Sequence, residues 1–487
     1  MSVAIWWVAL TVIVFASFML YSYVRYPALN SDHAITILMC QTFQLPHDFY
    51  YWGQDRYGSI VPLLSQIPIR AGADAAISVS MVHFIILLAG YFAVRSLIQS
   101  RILQLIVAVI WFLPPTRMLE LVQFWPGLSY SFIFIAIAFF RLASKTISFK
   151  SYFYFFIACT GMSIACWISD LAAISTLSLI VVSVLYEFFL KSISFSRVAI
   201  IKGSIALVVL LAACLFISFA KANADSHFQY AQFASFSHVC NSISVLAFTL
   251  FDLLLFRGNE PFTSIYCYGI LSVVAILLLR GRVWLKVLLQ HWLMLFFLLD
   301  FVLVLGAVVC SSHVADNLVQ RRFFNASYIS GMVLLILLID NWIAQSKSFR
   351  GIVVQVTLLV TVAIGGLGSY YHHACVWPGT LTPRIVTAGE FGALGKVGIA
   401  GNYWNTYIYS CTNPEQIKAL PYYMPAARDK NAAAAFFEQP RLLVVRDMWF
   451  NDFPDTIDFH LHTLIKTGQP FHMADCDVCD YQLKENK

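Results

Sequence analysis

The chain has 487 residues, of which 60% are hydrophobic and 11% are charged, and its mean hydropathy is +0.75. This composition excludes a soluble globular protein of ordinary type. The net charge of +6 comes from basic residues scattered between apolar segments, so nothing points to nucleic-acid binding. Because backbone polar groups inside lipid need internal partners, the composition predicts an α-helical polytopic membrane protein.

Apolar stretches long enough to cross a hydrocarbon core as helices recur from the N-terminus to about Gly368. Hydropathy predicts about eleven spans. They lie near residues 5–24, 73–94, 102–115, 127–141, 151–168, 171–190, 203–219, 262–279, 287–309, 323–341 and 351–369. The first stretch lacks a basic leader and is long enough to span, so we expect a helix rather than a cleaved signal peptide.

Basic residues mark alternate short loops between these spans. They are Arg95, Arg101, Arg141, Lys145, Lys150, Lys191, Arg197, Lys202, Arg280, Arg282, Lys286, Lys347 and Arg350. By the positive-inside rule these loops face the cytoplasm. We therefore expect residues 1–369 to form a transmembrane domain with a cytoplasmic N-terminus. The first loop, the long loop of residues 220–260 and the tail then face the opposite side.

The first outer loop, residues 25–72, is too long for a simple connection. Helical spacing of apolar residues predicts two short surface helices, Ile35–Leu45 and Ser59–Ile69, separated by an aromatic, glycine-containing turn. Such helices would hold Asp32 at the membrane interface. In the later long outer loop, Ser242–Phe256 is also apolar, and we expect it to lie at the interface rather than to span.

The composition changes after Tyr370, where charges, prolines and asparagines become common. Two buried strands are predicted, Lys396–Gly401 and Arg441–Val445, together with helical stretches at Ala432–Phe437 and Ile457–Thr467. This alternation predicts a small extracytoplasmic α/β domain over residues 370–487.

Four cysteines fall in this tail, in a compartment expected to be oxidising. They are Cys375, Cys411, Cys476 and Cys479. An even number of cysteines there favours structural disulfides. His460, His462 and His472 could complete a zinc site with Cys476 and Cys479, but the spacing matches no common zinc pattern, so disulfides are the preferred interpretation.

Asp32 is the leading candidate for chemistry, because a carboxylate just past a span and flanked by aromatic residues can be tuned to act as a general base. The alternative is an ordinary solvated loop aspartate. Arg25, Arg56, Arg321 and Arg322 lie at the same expected face, where guanidinium groups can bind a phosphate. They can equally extend to lipid headgroups.

Three further carboxylates occur at or inside spans. Asp170 follows Trp167 between two spans, where a charge either lines a wet cavity or caps the next helix. Asp300 and Asp340 lie within or at the ends of spans, and Asp300 in particular is expected to pair with a neighbouring helix.

Several short motifs resemble those of a known family. The first outer loop opens with Asp32 and continues through an aromatic segment containing Gly53, Gln54, Gly58 and Ser59, followed by Pro62-Leu63-Leu64. Cys166–Leu171 closes a span, Arg321–Phe324 opens a late one, and Gly401–Tyr407 is a Tyr-Trp segment of the tail. With the whole-chain architecture, these motifs resemble the polytopic GT-C-type glycosyltransferases, which take a sugar from a polyprenyl-phosphate carrier at the outer leaflet.

The resemblance implies an inverting hexosyltransferase with Asp32 as general base. Its substrate- and phosphate-binding residues would be His33, Gln54, Asp55, Arg56, Tyr57, Trp167, Asp170, His313, Arg321 and Arg322. Length and tail are also similar to O-antigen glucosyltransferases of enteric bacteria. This implies transfer of glucose from undecaprenyl phosphate to a lipopolysaccharide glycan, in the bacterial inner membrane with the tail in the periplasm. Many members carry two adjacent acidic residues or an Asp-x-Asp in the first loop, whereas His33 follows Asp32 here, so a divalent metal cofactor is not supported.

Two other classes of function remain open. A transporter or flippase would account for the spans and for Asp300, but it should show two halves with matching broken helices, and no such symmetry is evident. An O-antigen polymerase or ligase would share the lipid carrier. Its arginines are expected in large middle loops, whereas the 220–260 loop holds only Arg257.

Overall fold

The structure is a computed structural model that describes residues 2–145, 149–190, 197–227, 232–257, 261–278, 288, 291–346, 349–372, 382–423, 427–428, 431–446 and 451–484. It is mainly helical. The α-helices are Val3–Tyr21, Ser31–Gln41, Ile60–Arg70, Ala75–Arg95, Arg101–Phe112, Leu119–Val122, Leu128–Lys145, Phe149–Ile168, Ala172–Leu190, Arg197–Ala222, Phe236–Leu254, Pro261–Leu278, Trp292–Val309, Ser312–Asp316, Asn325–Ser346, Phe349–His372, Arg384–Ala388, Tyr403–Cys411 and Ala432–Phe437.

Ten helices in the described ranges are long and apolar enough to cross a membrane. An eleventh span is formed if Arg101–Phe112 and Thr116–Val122 are taken together, although they meet at 79°. Pro114 and Pro115 lie at this bend, where proline removes a backbone donor and obstructs a continuous helix. The predicted polytopic helical architecture is confirmed, and the predicted surface helices of the first loop correspond to Ser31–Gln41 and Ile60–Arg70.

One predicted interfacial helix is longer than expected. The stretch predicted at Ser242–Phe256 belongs to the helix Phe236–Leu254, whose 19 residues have a mean hydropathy of 1.4, enough for a span. The helix begins earlier because the Ser235 hydroxyl caps it by accepting a hydrogen bond from the backbone N–H of His238. The first turn of this helix is polar, so hydropathy alone does not indicate where the helix starts.

The chain forms two compact units. The bundle unit comprises Met1–Ser17, Ile85–Phe219 and Phe228–Val376. The loop–tail unit comprises Phe18–Phe84, Ala220–His227 and Trp377–Lys487. The tail predicted from residue 370 therefore folds together with the first loop and with the short segment Ala220–His227, which begins in the last turn of Arg197–Ala222. Hydropathy does not indicate this grouping.

The tail contains a seven-stranded mixed sheet. Its strands are β1 (Val397–Gly401), β2 (Ile417–Pro421), β3 (Leu442–Val445), β4 (Thr456–Phe459), β5 (His462–Lys466), β6 (Phe471–Met473) and β7 (Cys476–Leu483). The order is β2-β1-β3-β7-β5-β4, and β6 pairs with β7. Strand β1 is parallel to β2 and β3, and the other pairs are antiparallel. The predicted α/β domain is confirmed at both predicted strands and at the helix Ala432–Phe437.

The predicted helix Ile457–Thr467 is wrong, because these residues form the β4–β5 hairpin. Burial along β4 alternates, with Ile457 and Phe459 inside and their neighbours exposed, which is the period of a strand. His460 and Leu461 at the turn have φ of 48° and 69°. Two successive left-handed residues suit a tight hairpin turn and interrupt any helix.

The predicted tail disulfides are not present among the described cysteines. Cys411, Cys476 and Cys479 are free thiols, and Cys375 lies outside the described residues. Cys476 and Cys479 lie three positions apart on β7, so their side chains point to opposite faces of the sheet and cannot bridge. Within the described ranges, no cluster of three or more His, Cys, Asp or Glu side chains is arranged to hold a metal ion.

Candidate active site

The first-loop helix Ser31–Gln41, called the loop helix below, presents Asp32 in its first turn. Asn30 caps this helix: its side-chain oxygen accepts from the backbone N–H of His33 at 3.3 Å, and the His33 ring lies 2.7 Å from the same oxygen. This reciprocal cap fixes where the helix starts. A carboxylate in the first turn is favoured by the helix dipole, so the local sequence places Asp32 at the start of the loop helix.

The His33 ring is engaged in the cap and in aromatic packing. Its centroid lies 5.4 Å from the ring of Tyr23 and 5.6 Å from that of Tyr26. Burial lowers the pKa of His33 to about 4, although the charge of Asp32 opposes the shift. His33 is therefore neutral near pH 7 and acts as a cap beside Asp32.

Asp32 is bonded to a residue from the far end of the chain. The residue is 8% exposed, and Tyr403 Oη donates to Asp32 Oδ1 at 2.5 Å. Burial, and then the negative charge of Asp32, raise the pKa of Tyr403 well above its usual value of 10. Tyr403 therefore stays protonated at physiological pH and is a permanent donor to the carboxylate.

Arg428 covers this pair. Its guanidinium carbon lies 5.2 Å from the centre of the Tyr403 ring, and its Nη1 donates to the carbonyl oxygen of Gly53 at 3.2 Å. Gly53 has φ of +68°, and a Cβ there would come 2.7 Å from Arg428 Cδ. Glycine at this turn thus lets a cation lie against the first loop.

The helix Tyr403–Cys411, called the tail helix below, is attached to the loop helix at more than one place. The backbone N–H of Tyr407 donates to Ser31 Oγ at 3.2 Å. Gln41 Nε2 donates to the carbonyl oxygen of Cys411 at 3.3 Å, which joins the C-terminal ends of the two helices. The two helices thus run side by side, and hydrogen bonds join them near both ends of the loop helix.

Arg384 makes a further attachment just ahead of the loop helix. Its guanidinium donates to the carbonyl oxygen of Leu29 at 3.2 Å and to Asn405 Oδ1 at 2.6 Å. One arginine therefore binds the residue preceding the Asn30 cap and a residue of the tail helix. Both contacts hold the start of the loop helix against the tail.

The other first-loop candidates belong to the same unit as Asp32. Arg56 Nε donates to Gln54 Oε1 at 3.5 Å, and the guanidinium carbon lies 4.7 Å from the centre of the Tyr57 ring. Asp55 Oδ2 lies 3.6 Å from His227 Nδ1. These residues form a polar turn in the loop that also carries the Gly53 carbonyl bound by Arg428.

Five predicted residues belong to the bundle unit. Trp167 is buried at the end of Phe149–Ile168 and packs on Phe216 with ring centres 5.5 Å apart, whereas Asp170 is exposed in the following turn. Arg321 Nε lies 3.7 Å from Glu120 Oε2.

The last two of the five share one aromatic partner. The His313 ring lies 5.4 Å from the ring of Phe323, and the guanidinium carbon of Arg322 lies 5.5 Å from it. Arg322 and His313 thus cluster about Phe323 at the start of a late span, beside Arg321.

Tyr403 and Arg428 are the functional candidates that the sequence prediction missed. Tyr403 did lie within the Gly401–Tyr407 segment that carries part of the family resemblance, but nothing linked it to Asp32. Arg428 has no motif around it. Its neighbour in space, Gly53, is 375 positions away in the chain.

Comparison with known proteins finds similar solved structures only. No protein family matches the chain, and no curated protein matches it in sequence. The Archaeoglobus fulgidus oligosaccharyltransferase in its apo form is similar with a TM-score of 0.46 and 12% identity over 91% of this chain and 69% of that one. The same organism's AglB, in complex with an inhibitory peptide and a dolichol-phosphate, gives 0.44 and 10% over 85% and 64%.

ArnT from Cupriavidus metallidurans, bound to undecaprenyl phosphate, is similar along nearly the whole of both chains. Its TM-score is 0.42 and its identity 9%, over 98% of this chain and 97% of that one. At TM-scores below 0.5, these similarities do not by themselves place the chain in a family.

Proposed function

We propose that the protein is a membrane glycosyltransferase that moves a sugar from a polyprenyl-phosphate carrier to a hydroxyl group of a cell-envelope glycan, with Asp32 as general base. The observation that carries this proposal is the geometry around Asp32. A nearly buried carboxylate sits in the first turn of the loop helix, takes a hydrogen bond from Tyr403, and has the Arg428 cation against that tyrosine.

The proposed reaction is a single displacement. Asp32 takes the proton of the acceptor hydroxyl as its oxygen attacks the anomeric carbon, and the bond from that carbon to the carrier phosphate breaks. Asp32 then holds the proton, and the departing phosphate carries one more negative charge than the donor phosphodiester. One displacement inverts the anomeric configuration. No metal or other cofactor is needed for these steps.

Arginines are proposed to balance the charge on the departing phosphate. Arg56 and Arg428 belong to the unit that holds Asp32, and Arg321 and Arg322 open a late span of the bundle. A guanidinium can bind two phosphate oxygens at once, which suits a leaving group that gains charge. Gln54, Tyr57 and Asp55 are proposed to bind substrate in the same loop.

The finer identity of the substrates follows the family resemblance. We propose a hexose, glucose, carried on undecaprenyl phosphate and delivered to a lipopolysaccharide glycan such as O-antigen. The family resemblance implies a bacterial inner membrane, and the basic loops favour an orientation with the N-terminus in the cytoplasm and the tail in the periplasm. A carrier-bound donor fits that side, because sugar nucleotides are confined to the cytoplasm.

Asp32→Asn tests the proposal because it removes the base with little change in shape. Transfer of labelled glucose from undecaprenyl-phosphate-glucose to envelope glycan is measured in membranes containing equal amounts of folded protein. Loss of a general base typically costs about 10²–10⁴-fold in rate. Asp458→Asn is the matched control, since Asp458 is exposed on the β4–β5 hairpin and undergoes the same chemical change.

Transfer retained by Asp32→Asn would remove Asp32 as the base and direct the search to Asp55 and Asp170. If the unaltered protein transfers no sugar from any polyprenyl-phosphate donor tested, the glycosyltransferase proposal itself fails and transport becomes the leading function.

A further inference from the structure

We infer that Tyr403 is a positioning residue for Asp32, through which the tail domain keeps the base ionised and correctly aimed; this inference rests on the proposed function. It assigns the tail a part in the active site. The tail would not be a separate module that only binds the acceptor or shields a cavity.

The first step of the argument is that Tyr403 has little freedom to turn its hydroxyl elsewhere. Its ring packs edge-to-face against Trp404 at 5.1 Å and Tyr407 at 6.0 Å. Arg428 covers it at 5.2 Å and is itself bound to Gly53. A phenol held this firmly fixes the position of the carboxylate oxygen that accepts its proton.

The second step concerns the charge of Asp32. A hydrogen bond donated to a carboxylate stabilises its ionised form, and Tyr403 remains a donor because burial keeps its own pKa high. A base is useful only in its deprotonated form, and a nearly buried carboxylate resists that form unless something compensates the lost water. Tyr403 supplies the compensation.

The third step is that the tail helix is attached independently of this hydroxyl. The contacts of Tyr407 with Ser31 and of Gln41 with Cys411 both involve backbone groups of the tail helix. Removing the Tyr403 hydroxyl should therefore leave the two helices together. The change isolates the hydrogen bond, so its effect on catalysis can be measured in a folded protein.

Other ionisable groups lie against the pair and must be considered in any pH experiment. They include His33, which neighbours Asp32, and Arg428 and Tyr407, which pack on Tyr403. His33 is neutral across the physiological range because its pKa is about 4, and arginine keeps its charge throughout.

The test compares the pH dependence of kcat/KM for sugar transfer in the wild type and in Tyr403→Phe. We expect the acid limb of the variant to move to higher pH by about one unit, so that activity falls about tenfold at the acid end and approaches the wild type at high pH. KM for the lipid donor should not change. Tyr409→Phe is the matched control, because Tyr409 is a buried tyrosine of the same helix whose hydroxyl points to Cys476.

Two results would overturn the inference. An unchanged pH profile would make the hydrogen bond structural only. Activity that rises at every pH would mean that the phenol occupies the place of the acceptor hydroxyl and blocks Asp32.

A second measurement separates this inference from the proposed function. Thermal unfolding of the wild type, Asp32→Ala, Tyr403→Phe and the double variant forms a cycle that reports the pairing without any activity assay. A smaller effect of Tyr403→Phe in the Asp32→Ala background supports the pair, and additive effects overturn it. If the cycle shows coupling but the wild type transfers no sugar, the proposed function fails and the catalytic role of Tyr403 fails with it.

Discussion

His47 provides a sharp test of how the first loop is held, because both of its ring nitrogens face carboxylates. Nδ1 lies 2.7 Å from Asp48 Oδ1, and Nε2 lies 2.7 Å from Asp225 Oδ1. A neutral imidazole has one donor and an imidazolium has two, so both contacts form only when His47 is protonated. Protonated His47 therefore ties the segment Ala220–His227 to the first loop.

The pKa of His47 sets the direction of the effect. Burial lowers it, but hydrogen bonds to Asp225 and Asp48 outweigh burial and raise the pKa above its usual 6.5. A raised pKa means that the stabilisation is complete below pH 6.5 and is lost as pH rises through the raised value. His227, Asp55 and Lys221 lie on the same two segments, and His227 pairs with Asp55.

The exposure of the three side chains determines how much the two His47 contacts stabilise the segment. A hydrogen bond to a charged group contributes about 1.5–3 kcal/mol, whereas exposed ion pairs contribute up to about 1 kcal/mol. The His47 side chain is 46% exposed, although Asp48 and Asp225 are 2% and 7% exposed. We therefore expect loss of one contact to cost about 1 kcal/mol, which is about a fivefold increase in the opening of the segment.

Hydrogen–deuterium exchange of the peptide covering Ala220–His227 measures this opening, after correction for the intrinsic pH dependence of exchange. Protection should be complete below pH 6.5 and should fall as the pH rises through the raised pKa of His47 in the wild type. In His47→Gln it should be low and independent of pH, because glutamine has a neutral donor and does not titrate there. Equal pH dependence in both proteins would refute the assignment to His47.

Two further predictions concern stability, measured by thermal unfolding in detergent. Phe436→Ala should destabilise the tail domain by about 3–5 kcal/mol, because Phe436 is fully buried in the core of the sheet and leaves a cavity; near-normal stability would contradict that packing. Tyr130→Phe should cost about 1–3 kcal/mol, because Tyr130 Oη donates at 2.7 Å to the fully buried Asp300, and its loss leaves that carboxylate with its serine partners, Ser330 and Ser175. A neutral effect would mean that Asp300 finds another partner.

The spans could be predicted from composition because a long apolar run satisfies its backbone polar groups in lipid by forming a helix. In the tail, which we expect to be exposed to water, composition and spacing predict secondary structure less reliably. Ile457–Thr467 contains apolar residues at spacings that suit a helix and a hairpin alike, and the outcome depends on the pairing of β5 with β7, which lies outside this stretch. The tail cysteines show the same limit, since their even number cannot reveal that Cys476 and Cys479 face opposite sides of a strand.

The candidate site likewise contains one residue that the sequence could predict and another that it could not. Asp32 could be identified from the local sequence, because placing a carboxylate next to a membrane span costs free energy and so marks the residue as a functional candidate. The Asn30 cap of its helix is also a local feature. Tyr403 could not be paired with it, because 371 positions separate the two and hydropathy carries no information about such contacts. The sequence therefore indicated the proposed base but not the tyrosine that donates a hydrogen bond to it.

The two sets of contacts described above reach the first loop at neighbouring positions. Asp48 is bound by His47 and by Trp52 Nε1 at 3.0 Å, and the next residue, Gly53, is bound by Arg428. A proton lost from His47 releases the 220–227 segment, but Trp52 still holds Asp48 and Arg428 still holds Gly53. The Asp32–Tyr403 pair should therefore survive the pH change that opens the segment. If the pH dependence of transfer is set by Asp32 alone, replacing His47 will leave the acid limb of kcat/KM unchanged.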